Sequence, residues 1–316
     1  MAEETIESQL GAARGRFFGN GYSRVRHSHT LRRLRADGAD YSASVLYPTN
    51  WSEKNGAVQL PHLASVDAMA LAVSIVEDYL SRGGLGDPVD LGSARIRSCD
   101  LIPGAHPTTE LTHMPVRLDV DRPTAGDAGW NGVVVLGAFK VRIGLGQLRT
   151  APHAEHQMPA GETYFGGVFR AVQRRLGVVS AQDGIIFEAT ALAQAPTMAA
   201  GIRPGIDLAY NEKASMLDAL VFCAQVGQVA IYSLDGLDRA ETDTLWLRRA
   251  RFVRASPPGD DAGGSCRVVV ERTSLIERDS SRWRTADLVG KFASVEISFR
   301  LAHLLPAADR ARVTLA

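Results

Sequence analysis

Apolar and polar residues along this chain follow two different periods. From Tyr22 to Leu34, and again over Tyr41-Ser42-Ala43-Ser44-Val45-Leu46-Tyr47, they alternate in the manner of half-buried strands. Pro48 ends the second run, because proline cannot donate to a ladder. The pattern then changes. Leu63, Val66, Met69, Leu71, Val73, Ile75, Val76, Tyr79 and Leu80 put apolar side chains on nearly every face of a predicted helix from Pro61 to Arg82. Pro61 suits a first helical turn and Gly83-Gly84 a C-terminal stop. A helix that is apolar all round must be buried all round, and a curved sheet is the obvious wrapper for it. Strand patterns return at residues 93–101, 114–120 and 131–143, and short links between them predict antiparallel pairing.

The second half repeats this order. Phe17-Phe18-Gly19-Asn20-Gly21-Tyr22-Ser23-Arg24-Val25-Arg26 returns as Tyr164-Phe165-Gly166-Gly167-Val168-Phe169-Arg170. An Asp-Gly turn follows each copy (Asp37-Gly38; Asp183-Gly184), then an apolar strand, then a helix with an acid near its start: Asp67 in the first, Asp218 in the second. The second helix is predicted over 213–232, with strands at 184–192, 245–254, 266–277 and 293–304. A repeat of this length is a duplicated domain rather than a solenoid. The expected architecture is α+β, a tandem (double) hot-dog. The halves are 1–143, with a polar lead-in at 1–16, and 164–316, joined by a Gly-, His- and Pro-rich linker at 144–163. Strands and helices do not alternate as in a doubly wound fold, and Gly19-Asn20-Gly21 lacks the third glycine and the following helix of a dinucleotide loop.

Composition narrows the function. The chain has 316 residues, 45% of them hydrophobic, and zero formal net charge, which fits a globular protein and argues against a nucleic-acid binder. Residues 14–35 nevertheless hold seven Arg and two His without an acid. Such a stretch is either a solvated strand face or a patch that meets a phosphate. Three scattered cysteines, Cys99, Cys223 and Cys266, form no C-x-x-C pair and read as core, and a reducing cytoplasm is the expected compartment. The acidic start is no signal peptide, and no uninterrupted apolar run is long enough for a membrane span.

Asp67 and Asp218 are placed by the pattern about two turns into apolar helices, where a charge is costly unless partnered or facing a cavity. Seven residues on, the same faces carry Ser74 and Gln225. Two roles fit each acid: a hydrogen-bond acceptor for neighbouring strands, or a carboxylate that exchanges protons with a substrate. His62 stands where the second copy has Lys213. At a helix N-terminus the dipole favours a neutral imidazole, which suits a base; the other reading is a surface cap. The candidate catalytic residues are therefore Asp67, Asp218 and His62. The candidate substrate-binding residues are Ser65, Ser74, Gln225, Tyr22, Arg24, Arg26 and His27. His27 and His29 share a strand face but lack a third ligand at a convincing spacing, and His153-x-x-His156 is bracketed by prolines, so no metal is expected. There is no Gly-x-Ser-x-Gly element, which excludes an α/β-hydrolase.

The arrangement resembles dehydratase domains of polyketide and fatty acid synthesis, and Met216-Leu217-Asp218-Ala219-Leu220 is similar to the acid-bearing helix of their second half. Phe222 stands where those domains usually place a polar residue, and no His begins their His-x-x-x-Gly-x-x-x-x-Pro pattern. The chain more closely resembles the avirulence protein D family, the syringolide biosynthesis proteins of plant-pathogenic bacteria. Phe17 to Val25 and Leu60-Pro61-His62-Leu63-Ala64-Ser65-Val66-Asp67-Ala68 carry that resemblance. It implies production of acylated sugar-lactone signals from a β-ketoacyl thioester and a ketose. The partners it implies are an acyl carrier protein or CoA thioester and a small sugar or polyol acceptor, with no cofactor, and a homodimer is compatible. The expected function is an acyl-processing enzyme of secondary metabolism that joins or condenses these two. The alternatives are a dehydratase or thioesterase on acyl-thioesters, and a non-catalytic module that binds an acyl or lactone ligand.

Overall fold

The fold is given by a computed structural model, which describes residues 5–54, 56–121, 129–146, 148–149, 163–194, 205–206, 215–242, 244–255, 264–278 and 280–306. A single helical turn, α1 (Glu7–Leu10), precedes the first half. That half comprises β1 (Arg26–Arg35), β2 (Gly38–Leu46), a small hairpin of β3 (Glu53–Lys54) and β4 (Ala57–Val58), helix α2 (Ser65–Ser81), and β5 (Ile96–Ile102), β6 (Met114–Asp121), β7 (Trp130–Leu136) and β8 (Phe139–Leu145). The second comprises β9 (Gln173–Leu176), β10 (Ser180–Gln182), β11 (Ile186–Gln194), helix α3 (Met216–Asp235), β12 (Trp246–Arg254), β13 (Gly264–Arg278), β14 (Ser281–Phe292) and β15 (Val295–Leu304).

One antiparallel sheet runs through both halves in the order β1-β2-β6-β7-β8-β5-β12-β15-β14-β13-β11-β10, with β9 also paired to β11. The halves join where β5 meets β12, Leu101 opposite Ala250 and Cys99 opposite Phe252. Read outward from that seam, the two sides have the same order of strands. Each side wraps one helix, so the chain is the expected tandem hot-dog. In α2 every residue from Ser65 to Leu80 is buried, as its all-round apolar surface requires. By length and composition α3 would cross a membrane, yet it is the core helix of its half, with 78% of its most apolar window buried. Phe222 of α3 meets Phe292 of β14 edge to face, with ring centroids 4.7 Å apart. Each such buried side chain contributes about 1.5–3 kcal/mol.

Four details depart from the pattern-based reading. Residues 131–143 are two strands, not one, turned at Gly137, whose φ of +52° favours glycine. The whole of β14 was not visible as a strand, because its first half is polar (Ser281-Arg282-Trp283-Arg284-Thr285) and shows no clean alternation. Helix α2 begins at Ser65 rather than Pro61. The Leu63 N–H is taken by the Thr108 carbonyl at 2.9 Å and the Ala64 N–H by the Tyr47 hydroxyl at 3.1 Å, which holds this approach extended. His62 therefore precedes the helix, and Asp67 and Asp218 both lie in first turns rather than two turns in. Lys213 and residues 150–162 of the expected linker lie outside the described residues.

Candidate active site

The register that aligns Phe18 with Phe165 also aligns His27 with Arg174, Tyr22 with Phe169 and Phe17 with Tyr164. These pairs build the two helix entrances, and the entrances differ.

The entrance of α3 is sealed. Ser215 caps the helix: its Oγ accepts the Asp218 N–H at 3.1 Å, while Asp218 Oδ2 accepts the Ser215 N–H at 2.8 Å, a capping box. Asp218 Oδ1 takes two nitrogens of Arg174 on β9, Nε at 2.7 Å and Nη2 at 2.6 Å. Arg174 also donates to the Tyr22 hydroxyl at 2.8 Å and the Phe169 carbonyl at 2.9 Å. Its guanidinium lies over the Tyr22 ring, 5.4 Å from the centroid. The Tyr164 hydroxyl bonds Ser215 Oγ at 2.7 Å. Burial is the largest single effect on the Arg174 cation and opposes it, but the Asp218 charge and hydrogen bond together with Tyr164 and Tyr22 outweigh burial and raise the pKa; burial raises that of Tyr164. Both side chains of the ion pair are almost out of solvent, at 4% and 6% exposure. This is a satisfied structural cluster.

The entrance of α2 is open. Its N-cap is Ala64, which has no side chain to cap with, and the N–H groups of Ser65 and Val66 have no partner among the described residues. Asp67 is fully buried. Its Oδ1 accepts His27 Nε2–H at 2.9 Å, and Oδ2 accepts the Tyr47 hydroxyl in a very short bond. Arg170 donates to His27 Nδ1 at 3.3 Å, which fixes the Nε2–H tautomer. Burial, then the Asp67 charge, pushes the Tyr47 pKa well up, so the phenol stays protonated and donating. Each half thus pairs a strand residue with its own acid and rests that residue on a ring from the other half. His27 stacks on Phe169, with centroids 6.0 Å apart, as Arg174 lies on Tyr22.

A cavity of about 800 Å³ reaches the open entrance. Ala64 and Ser65 line it, as do Trp51 and His62. It continues along one face of α3, where Leu220, Ala224, Gln228 and Tyr232 recur at helical spacing, and against Phe299 and Leu301 of β15. His62 is half-buried between Trp51 and Trp246, with centroids 5.5 and 5.8 Å away. Its Nδ1–H donates to the Leu60 carbonyl at 3.1 Å, leaving Nε2 without a partner among the described residues. Trp51 also packs on Tyr47 at 4.8 Å, so one wall of the cavity rests on the hydroxyl that holds Asp67. A helix N-terminus with free N–H groups polarises a carbonyl oxygen, and a bare imidazole nitrogen beside it accepts a proton.

Of the candidate catalytic and substrate-binding residues, only His62 and Ser65 line this cavity. Asp67 and His27 form the network behind it, and Asp218 and Tyr22 belong to the sealed cluster. Gln225 is buried and accepts from Arg16 at 2.7 Å; Ser74 is buried within α2. Arg24 is tied to Asn50, and Arg26 points to solvent from β1. Tyr47, Tyr164, Arg170 and Arg174 were missed; the repeat register, applied to His27, is the signal that finds Arg174. Close packing accounts for the glycines of the first Phe-Gly element. A Cβ at Gly21 would lie 2.1 Å from the Trp51 carbonyl oxygen, and one at Gly19 2.4 Å from that of Ala13. Among the described residues, no three His, Cys, Asp or Glu side chains converge as a metal site requires.

Fold and site together define a tandem hot-dog protein with one open and one sealed helix entrance. Within that class the chain belongs to the AvrD family: the family described as Pseudomonas avirulence D protein (AvrD) matches residues 2–164 and again 162–306. No curated protein matches the sequence. Similar solved structures include the acyl-CoA thioesterase II TesB2 from Mycobacterium marinum, at 10% identity and a TM-score of 0.43, covering 88% of this chain and 96% of that one. The 12:0-ACP thioesterase from Umbellularia californica is 9% identical with a TM-score of 0.41, covering 88% and 94%. The dehydratase domain of RzxB from Pseudomonas fluorescens is 16% identical with a TM-score of 0.38, covering 88% and 96%.

Proposed function

We propose that this protein is an enzyme acting on acyl-thioesters, and that it joins a β-ketoacyl group to a sugar or polyol acceptor on the way to a syringolide-like acyl lactone. The contrast between the two helix entrances carries this reading. One is closed by a capping box and an arginine; its counterpart has free N–H groups, a bare imidazole nitrogen and a cavity of about 800 Å³ that runs along α3. Membership of the AvrD family supports the acyl lactone as product.

The acyl chain lies along the apolar face of α3, and the thioester carbonyl oxygen points at the first turn of α2. The acceptor hydroxyl oxygen adds to the carbonyl carbon while His62 Nε2 takes its proton. The C–S bond then breaks, and the departing thiolate receives that proton. Asp67, His27 and Tyr47 are positioning residues: the Tyr47 hydroxyl holds the Ala64 N–H and so fixes the approach to α2.

The test is incubation with a β-ketoacyl-CoA, with and without a pentulose, read by mass spectrometry. An acceptor-dependent ester supports the proposal. Free acid without acceptor consumption indicates a thioesterase, and loss of water from a β-hydroxyacyl-CoA a dehydratase. A thioester that binds and is never turned over would leave a non-catalytic binding module.

A further inference from the structure

The same cavity has a charge that an acyl chain does not explain. Arg16, Lys54, Arg239, Arg248 and Arg278 line it, and among the described residues no Asp or Glu does. One of these arginines is buried and another half-buried, and neither meets a counter-charge among the described residues. Arg16 is 3% exposed; its Nη1 donates to the neutral Gln225 side chain at 2.7 Å, and its Nε is buried with no partner. Among the described residues Arg239 donates only to backbone carbonyls, those of Glu53 at 3.0 Å and Gly15 at 3.4 Å. Neither makes an ion pair among the described residues. Glu7, the acid that acts on Arg16, is exposed and spends an oxygen on the Ala13 N–H. Burial, then the neighbouring Arg239 cation, pulls the pKa of Arg16 down to about 10, and burial lowers that of Arg239.

A buried cation placed near a half-buried one, without an acid between them, is costly to the fold. Arg174, Arg284 and Arg35, by contrast, each meet a carboxylate. Guanidinium groups with unused donors match the geometry of phosphate oxygens.

We infer that the Arg16–Arg239 end of the cavity binds a phosphate ester. This rests on the acyl-transfer reading for the identity of the ligand but not for its detection. A β-ketoacyl chain is neutral, so the phosphate belongs either to the acceptor, as a sugar phosphate, or to the pantetheine carrier of the thioester.

Binding is measured by calorimetry and by thermal shift, without turnover. The probes are ribulose 5-phosphate against ribulose, and 4′-phosphopantetheine against pantetheine. At least one phosphorylated probe is expected to bind and to raise the melting temperature with concentration, with its dephosphorylated counterpart much weaker; which one does so names the source. Arg16→Met and Arg239→Met are each expected to weaken that binding about ten- to a hundredfold, the loss of a charged hydrogen bond, while melting no lower than wild type without ligand. Arg239→Lys keeps the charge and is expected to lose less. Equal binding of phosphorylated and dephosphorylated forms, or undiminished phosphate binding in both methionine variants, would overturn the inference. Phosphate binding without any acyl product would instead remove the acyl-transfer reading and leave this site standing.

Discussion

Asp218 is a candidate catalytic acid by its sequence, and the structure makes it a keystone of the fold. Asp218→Asn separates the two roles. The substitution leaves the Arg174 cation 4% exposed and without a counter-charge, beneath the Tyr22 ring. Removing one partner of a buried ion pair costs about 3–5 kcal/mol. At about 2–4 °C per kcal/mol for a chain somewhat smaller than this one, the melting temperature should fall by roughly 6–20 °C. Product formed per folded molecule, measured well below the transition, should stay near wild type. The double substitution Asp218→Leu with Arg174→Met removes both charges and should recover much of the loss, since apolar replacement of a buried pair is often neutral or stabilising. Calorimetry on wild type, Asp218→Leu, Arg174→Met and the double variant gives the coupling directly. An Asp218→Asn variant that melts like wild type but makes no product would refute the reasoning and return Asp218 to the chemistry.

Three further outcomes follow from the same contacts. His62→Gln should lower the rate of acyl transfer by about 10²–10⁴ with the melting temperature little changed, and a rate that survives would remove His62 as the base. Burial lowers the pKa of His29 and His303, so the unfolded chain takes up protons there first as pH falls. Stability should be full above about pH 6.5 and decline below it until the lowered native values are reached; urea titrations from pH 7.5 to 5.5 should show this slope reduced in His303→Leu, and an unchanged slope would contradict it. Gly21→Ala drives a methyl group against the rigid Trp51 carbonyl and should cost about 1–3 kcal/mol, read as a lower urea midpoint.

The fold was legible where burial imposes a simple period. The all-round apolar run of α2 required a wrapper, and the repeat placed a second such helix in the other half. Legibility failed where polar residues interrupt the alternation of a long strand, as from Ser281 to Thr285 of β14, and where one glycine turns a continuous apolar run into two strands, as at Gly137. The site was harder for a different reason. His27 meets Asp67 from 40 positions away and Arg170 meets His27 from 143, the latter across the two halves. Periodicity within a helix correctly put Asp67 and Asp218 on matching positions. It could not tell that one acid holds a histidine beside an open helix end while the other is locked to an arginine. That distinction came from the strand residues His27 and Arg174, which correspond in the repeat and differ in chemistry.

The most direct test of that division is a crystal structure with a non-cleavable β-ketoacyl thioether of pantetheine. The acyl tail should lie along Leu220, Ala224 and Gln228, with the carbonyl oxygen about 3 Å from the Ser65 and Val66 N–H groups and His62 beside it. A carbonyl seated at the Ser215–Asp218 entrance, or a ligand lying outside this cavity, would contradict it.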